Sequence, residues 1–180
     1  MTIQIRIAVN ADAAQLAQLE QRFNADELGQ SSSMLEGQCL NQTQLQQLIQ
    51  QQWVVVAEDK QTIVGYVIAA RWPFYQQQGL YRVIKQQLKQ CQLHGQPLSE
   101  HNSCQYGPIW IEQRFRGQGL FQRLVEFLTQ QVKASMPYVV AFIAEDNERS
   151  FAAHTSKGNM QVIDYISYQQ RDYYLLARAC

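Results

Sequence analysis

The chain has 180 residues, 46% of them hydrophobic and 11% aromatic, which suits one domain over 1–180 with a sizeable core and excludes a disordered or fibrous protein. Lys plus Arg and Asp plus Glu number 15 each, so the formal net charge is zero, where a general polyanion binder would be basic; nucleic acid is not expected as a partner. No run approaches the ~18 apolar residues of a membrane span, and Met1-Thr2-Ile3-Gln4-Ile5-Arg6 lacks a signal peptide's apolar block, so we expect a cytoplasmic enzyme with no membrane partner.

Ile3, Ile5, Ile7 and Val9 alternate with Gln4, Arg6 and Ala8, the period of a half-buried strand. Asn10 or Asp12 suits the cap of a helix carrying Ala13, Leu16, Leu19 and Phe23. Residues 24–40 read as a polar loop with Ser31-Ser32-Ser33, with a short helix inside it as the alternative. Asn41 or Thr43 opens a second helix with Leu45, Leu48 and Ile49. Trp53–Glu58 and Ile63–Ala70 flank Asp59-Lys60-Gln61-Thr62, a hairpin by length and composition. Residues 72–80 bring Trp72, Phe74 and Tyr75, expected to be exposed. Leu80, Val83, Ile84, Leu88 and Cys91 give helical spacing over 79–93, and residues 95–102 form a loop.

The most informative stretch runs from Gly107 to Val125. Ile109, Trp110 and Ile111 are β-formers, a basic turn with Gly117 and Gly119 follows, and Leu120, Phe121, Leu124, Val125, Leu128 and Val132 mark one face of a helix to about Ala134. Strand, glycine turn and helix start together make a phosphate site. The first amides of a helix lack intrahelical partners, and glycine lets a ligand approach the backbone. Arg114 and Arg116 add positive charge. A Walker A loop is excluded, since its Lys and hydroxyl are absent. A dinucleotide fingerprint fits Gly117-x-Gly119 and the acids Glu145 and Asp146, but its third small residue falls on Gln122 and too little chain remains for the other parallel strands. A plain glycine turn is the remaining alternative.

Pro137 ends that helix. Tyr138–Ala144 is a nearly continuous apolar strand, as expected of burial on both faces. Asp146 or Asn147 caps a helix running to Lys157, and Gly158 stops it. Residues 161–167 and 172–178 form a last antiparallel pair. The order β-α-α-β-β-α-β-α-β-α-β-β demands a mixed sheet. Cys39, Cys91, Cys104 and Cys180 show no disulfide spacing. Cys91-x-x-His94 and His101-x-x-Cys104 have the ligand types for zinc, though the gap between them is short; reduced thiols and surface histidines are the ordinary reading, and no metal is assigned.

Arg114-Phe115-Arg116-Gly117-Gln118-Gly119 fits Arg/Gln-x-x-Gly-x-Gly/Ala and so resembles the coenzyme-A pyrophosphate loop of the GCN5-related N-acetyltransferase (GNAT) family. The likeness extends from Ile3 to about Ala179. Asn147, Ser150 and Gly158 match the family's second motif, whose seventh-on position, often a Tyr that protonates departing thiolate, is His154. Gln113 and Phe121 depart from the commonest loop, which has Pro and a small residue there. The resemblance implies an α/β fold with a central mixed sheet of about seven strands flanked by helices. It implies acetyl transfer from acetyl-CoA to a primary amine of a small molecule or peptide in a ternary complex; a non-catalytic acyl-CoA-binding module of the same fold is the alternative.

The same resemblance puts the cofactor on Ile109, Trp110, Ile111, Arg114, Arg116, Gly117, Gln118, Gly119, Leu120, Phe121, Asn147 and Ser150. A backbone N–H near Ile109–Ile111 would polarise the thioester carbonyl, and pantetheine would add to that strand's edge. His154 is a candidate general acid or, equally, a satisfied helix histidine. Glu112 is a candidate base or a surface residue beside a basic turn. The acceptor half would come from variable segments such as 24–40 and 72–80. A homodimer, frequent in such enzymes, is left open.

Overall fold

The protein's structure, a computed structural model, describes residues 3–28, 40–75 and 79–180, and only the backbone of 23–28. Its elements are β1 (Gln4–Ile7), α1 (Ala13–Leu28), α2 (Gln42–Gln51), β2 (Trp53–Asp59), β3 (Thr62–Ala70), α3 (Gly79–Leu88), β4 (Gln92–Leu93), β5 (Gln96–Pro97), β6 (Ser103–Ile111), α4 (Leu120–Val132), β7 (Tyr138–Ala144), α5 (Glu148–Ser156), β8 (Gln161–Tyr168) and β9 (Arg171–Ala179). Seven strands make one mixed sheet in the order β1-β2-β3-β6-β7-β9-β8, and β6 with β7 is its parallel pair. The architecture is the expected one.

Period-two alternation divides the core between the two faces of this sheet. Val54 and Val56 of β2 and Phe142 of β7 join Leu16, Leu45, Leu48, Leu80 and Ile84 under α1, α2 and α3. Val55 and Ala57, with Val139, Ala141 and Ile143, instead meet Leu120, Leu124, Leu128 and Val132 of α4. Strand β7 is thus covered on both sides, as its apolar run requires. Each fully buried leucine here would cost about 2–5 kcal/mol on truncation to alanine.

Local signals explain most boundaries. Asn41 caps α2 in a reciprocal box, its Oδ1 accepting the Gln44 N–H at 2.9 Å while Gln44 Oε1 accepts the Asn41 N–H at 3.0 Å. Two-residue loops close β2–β3 and β8–β9, with positive φ at Lys60 and Gln61 (49° and 66°) and at Gln169 and Gln170 (48° and 63°), the twist that tight hairpins need.

Several expectations need correction. Neither Asn10 nor Asp12 caps α1. A 3-10 turn, Asn10–Asp12, precedes it, and the Asp12 carboxylate accepts the Val9 N–H at 2.7 Å while pairing with Arg6 at 2.7 Å. β1 is an edge strand paired only with β2, so Ile7 and Val9 lie 41% and 55% exposed. The expected loop 24–40 is helical to Leu28, and its residues 29–39 lie outside the described residues. The helix expected to reach 93 ends at Leu88, and a two-strand ribbon, β4 with β5, occupies part of the expected loop; His94 and Gly95 turn it with φ of 51° and 77°. Trp72 and Tyr75 are buried rather than exposed, because a 3-10 turn folds them under the sheet and Trp72 Nε1 donates to Ser103 Oγ at 3.1 Å. Among the described residues no helix is long and apolar enough to cross a membrane.

Candidate active site

The parallel ladder between β6 and β7 stops early. Its pairs are Ser103 with Tyr138, Cys104 with Val139 and Gln105 with Val140. Beyond Gln105, β6 stays with β3 as far as Ile111–Gly65, and β7 stays with β9 as far as Ala144–Tyr173. The two strands therefore part in the middle of the sheet. The register on β3 skips one residue while β6 passes two, at Gly107 and Pro108, which are joined by a cis peptide bond. On the parted stretch the Tyr106 carbonyl accepts Gln105 Nε2 at 2.8 Å and the Ile111 carbonyl accepts Arg116 Nε at 2.6 Å.

The loop after β6 ends in bare donors. Gly117 and Gly119 both lie in the left-handed region, with φ of 77° and 76°, and a Cβ built on either meets nothing within 4 Å. Gly119 is the N-cap of α4, and the first helical bond there is Arg123 N–H to Gly119 O at 3.2 Å. From Gly117 through Gln122 no backbone N–H has an intramolecular partner among the described residues. This run of amides at the positive end of a helix fits a diphosphate. The Phe121 ring does not cover it. That ring packs edge-to-face on His154 instead.

A cavity of about 570 Å³ joins these parts. Ile109, Trp110, Ile111, Arg116, Gly117, Gly119, Leu120, Phe121, Asn147, Ser150 and His154 all line it, so the structure brings together most of the site residues expected from the sequence. Asn147 does cap α5, its Oδ1 accepting the Ser150 N–H at 3.1 Å. Three of the expected side chains stay outside the lining. Glu112 pairs with Arg114 at 2.8 Å, Arg114 lies over the Phe115 ring at 4.9 Å, and Gln118 Nε2 donates to the Arg114 carbonyl at 2.9 Å.

His154 is 4% exposed, wedged between Tyr106 and Phe121 with ring centroids 5.5 Å and 5.0 Å away. Its Nδ1 lies 2.7 Å from the Ser150 carbonyl, a contact only an N–H can make, so neutral His154 carries its proton there and offers Nε2 as an acceptor. Burial lowers its pKa, with the Ser150 carbonyl opposing.

Four buried polar atoms have no partner among the described residues: Tyr75 Oη, Gln105 Oε1, Tyr106 Oη and Trp110 Nε1. All four residues line the cavity, and unpaired buried polar groups are costly unless a ligand or water meets them. Burial also pushes the Tyr75 and Tyr106 phenols up. Glu20 of α1, 2% exposed, lines the cavity as well; it accepts the Tyr66 hydroxyl and, at 3.3 Å, the Leu40 N–H. Burial raises its pKa against those two hydrogen bonds.

A model of the acetyltransferase (GNAT) family matches residues 16–158 of the chain. The chain belongs to that family. Members take the acetyl group they transfer from acetyl-CoA, as expected from the loop. Solved structures share the fold at low identity. One is yncA from Salmonella typhimurium with its cofactor acetyl-CoA, 16% identical, covering 99% of this chain and 94% of that one with a TM-score of 0.66. Another is a ribosomal-protein-alanine N-acetyltransferase from Brucella melitensis, 17% identical over 98% and 99% of the two chains, TM-score 0.65. A third is a GNAT acetyltransferase from Streptococcus pneumoniae, 16% identical over 99% of each, TM-score 0.64. No curated protein matches the chain significantly.

The residues that line the cavity of this GNAT domain outside the expected set include Glu20, Arg149, Lys157, Gln105, Tyr81 and Tyr173. Glu20 does carry a signal in the sequence, a carboxylate beside Leu19 and one turn after Leu16 on the apolar stripe of α1. The four candidate zinc ligands do not converge. Cys91 is buried in the core on one side of the sheet and Cys104 on the other, while His94 is exposed and His101 lies at the surface as well. Among the described residues no three His, Cys, Asp or Glu side chains gather as a metal site.

Proposed function

We propose that residues 1–180 act as one domain that transfers an acetyl group from acetyl-CoA to a primary amine in a ternary complex. The observation that carries this reading is the partnerless amide run Gly117–Gln122, of which Gly117, Gly119, Leu120 and Phe121 line the same cavity as the parted edge of β6. Acetyl-CoA supplies the acyl group as an activated thioester. The loop amides would hold its diphosphate, with Arg116, Arg149 and Lys157, the basic residues of the lining, balancing phosphate charge. The β6 edge from Tyr106 to Ile111 would pair with the donor's amides as an added strand, and an N–H of Ile109–Ile111 would stabilise charge on the carbonyl oxygen.

His154 is proposed to move the proton. Neutral at Nε2, it accepts a proton released during transfer and passes it to the leaving sulfur, which reconciles its burial with the acid role expected of this position. Glu112, paired with Arg114 outside the cavity, has no part in this scheme. The test is steady-state release of CoA thiol across an amine panel, with calorimetry of acetyl-CoA binding. Turnover with an amine supports the enzyme. Tight binding with no turnover on any amine favours the non-catalytic acyl-CoA module, and no binding overturns both. Gly119→Glu, which puts bulk and negative charge on the loop, should lose acetyl-CoA binding; unchanged affinity would count heavily against the site.

A further inference from the structure

The part of the cavity on the α1 face of the sheet is lined by one kind of charge. Its only carboxylate among the described lining residues is Glu20, which lies over the cross-strand pair Tyr66–Trp110: Tyr66 donates its hydroxyl to Glu20 and stacks on Trp110 with centroids 6.1 Å apart. An aromatic wall continues from there. Tyr75 stacks on Tyr81 at 4.3 Å with planes 4° apart, Tyr81 meets Phe142 edge-on at 5.4 Å, and Phe142 meets Tyr173 at 5.9 Å. Tyr75 Oη and Trp110 Nε1 belong to this part and have no partner among the described residues.

The cations of the lining come from other elements. They are Arg116, on the loop after β6, and Arg149 and Lys157, at the two ends of α5; Phe115 of that loop and Phe151 of that helix pack on the opposite face of the sheet. His154 is held neutral by burial.

We infer that the acceptor is a primary amine with an apolar or aromatic body and no carboxylate or phosphate, bound through its ammonium to Glu20. A carboxylate in an aromatic cavity is costly to keep charged, and an ammonium held between such walls offsets that cost. An acidic acceptor such as a free α-amino acid would instead bring a second negative charge beside Glu20, on the face of the sheet opposite the elements that carry the lining's cations. In the transfer, the ammonium gives one proton to Glu20 and so frees the nitrogen lone pair. The N–C bond forms as the C–S bond breaks, the sulfur leaves with the bonding electrons, and the nitrogen's second proton ends on that sulfur. This inference rests on the proposed transferase reading and adds the acceptor class to it.

The experiment compares matched acceptors on the full chain: phenethylamine against phenylalanine, and tyramine against tyrosine, with acetyl-CoA saturating. For each amine, kcat/KM should be at least about 100-fold higher than for its amino acid, and Glu20→Gln should lose about 100-fold on the amine, on the scale of one buried charged contact. In that variant acetyl-CoA binding stays unchanged, and the acid limb of the kcat/KM profile disappears. Equal use of the amino acid overturns the inference, as does a Glu20→Gln enzyme with full activity on the amine. Acetyl-CoA binding with neither amine turned over overturns it too while leaving the donor site standing, whereas failure to bind acetyl-CoA overturns the transferase reading itself. The matched pairs need no variant, so a Glu20→Gln protein that does not fold leaves the comparison decisive.

Discussion

Phe121 and His154 meet edge-to-face, with ring centroids 5.0 Å apart and planes at 84°. Each stands where the chain departs from the commonest residue of a family motif, and the two departures touch. A large ring at the first turn of α4 is tolerated because it leans on the imidazole of α5 rather than over the open amides.

Removing either ring tests that contact. His154→Ala should lower kcat on a good amine by about 100-fold, the scale of a lost proton-transfer group, with the KM for acetyl-CoA within about twofold. Phe121→Ala should lower kcat less, and the double variant should be no worse than His154→Ala. Additive losses in that double-mutant cycle would show that the two residues act separately.

Burial of neutral His154 also links stability to pH. Its folded pKa lies below the ordinary value near 6.5, so the unfolded chain takes up the proton first as pH falls. The contribution of this site is complete above about pH 6.5 and shrinks as pH drops toward the lowered folded value. Urea unfolding at pH 7.5 and pH 5.5 should show a loss for the wild type that His154→Gln reduces. An identical pH dependence in the variant would contradict the assignment.

Gly158 ends α5 under a tight constraint of a different kind. A Cβ there would sit 2.7 Å from the His154 carbonyl oxygen, while the Gly158 N–H donates to Ala153 O at 3.0 Å. Gly158→Ala should cost about 1–3 kcal/mol, the usual penalty of overpacking, read as a shift in the urea midpoint at unchanged slope.

Much of this site is legible in the amino-acid sequence. The strand, glycine turn and helix around Gly117 are encoded in local signals: β-branched and aromatic residues, then glycines, then a 3.6-residue stripe. The box at Asn41 and Gln44 and the cap at Asn147 are local too. What escapes is set by tertiary contact. Trp72 and Tyr75 read as exposed because nothing near them announces the sheet that covers them. Glu20 stands out only as a carboxylate on the apolar stripe of α1, and its role shows only when Tyr66, 46 residues away, reaches its carboxylate. Glu112 stands at the end of the central strand in sequence, yet it pairs with Arg114 and does not line the cavity.

The Arg6 cluster supplies a second pH-dependent contribution, far from the cavity. Arg6 bridges Asp12 at 2.7 Å and Glu58 at 2.6 Å. Burial works to raise the Asp12 pKa, but the Arg6 and Val9 hydrogen bonds outweigh it and hold the carboxyl below its usual range. A depressed carboxylate stabilises above its unfolded pKa near 3.9 and loses that contribution as pH falls through the folded value. Asp12→Asn should therefore cost about 1–2 kcal/mol at pH 7, with the gap to wild type narrowing as pH falls below about 3.9. A gap that persists undiminished at pH 3 would assign the loss to packing.

The central claim is that the amides of Gly117–Gln122 receive the donor's diphosphate, and amide NMR reads those atoms directly. In 15N–1H spectra titrated with CoA, the Gly117, Gly119 and Leu120 amide protons should move downfield as they gain phosphate acceptors. Adenosine 3′,5′-bisphosphate, which lacks the pantetheine arm and one phosphate of the diphosphate, should move the same set to a smaller extent. Binding of CoA that leaves these amides unshifted would contradict the claim.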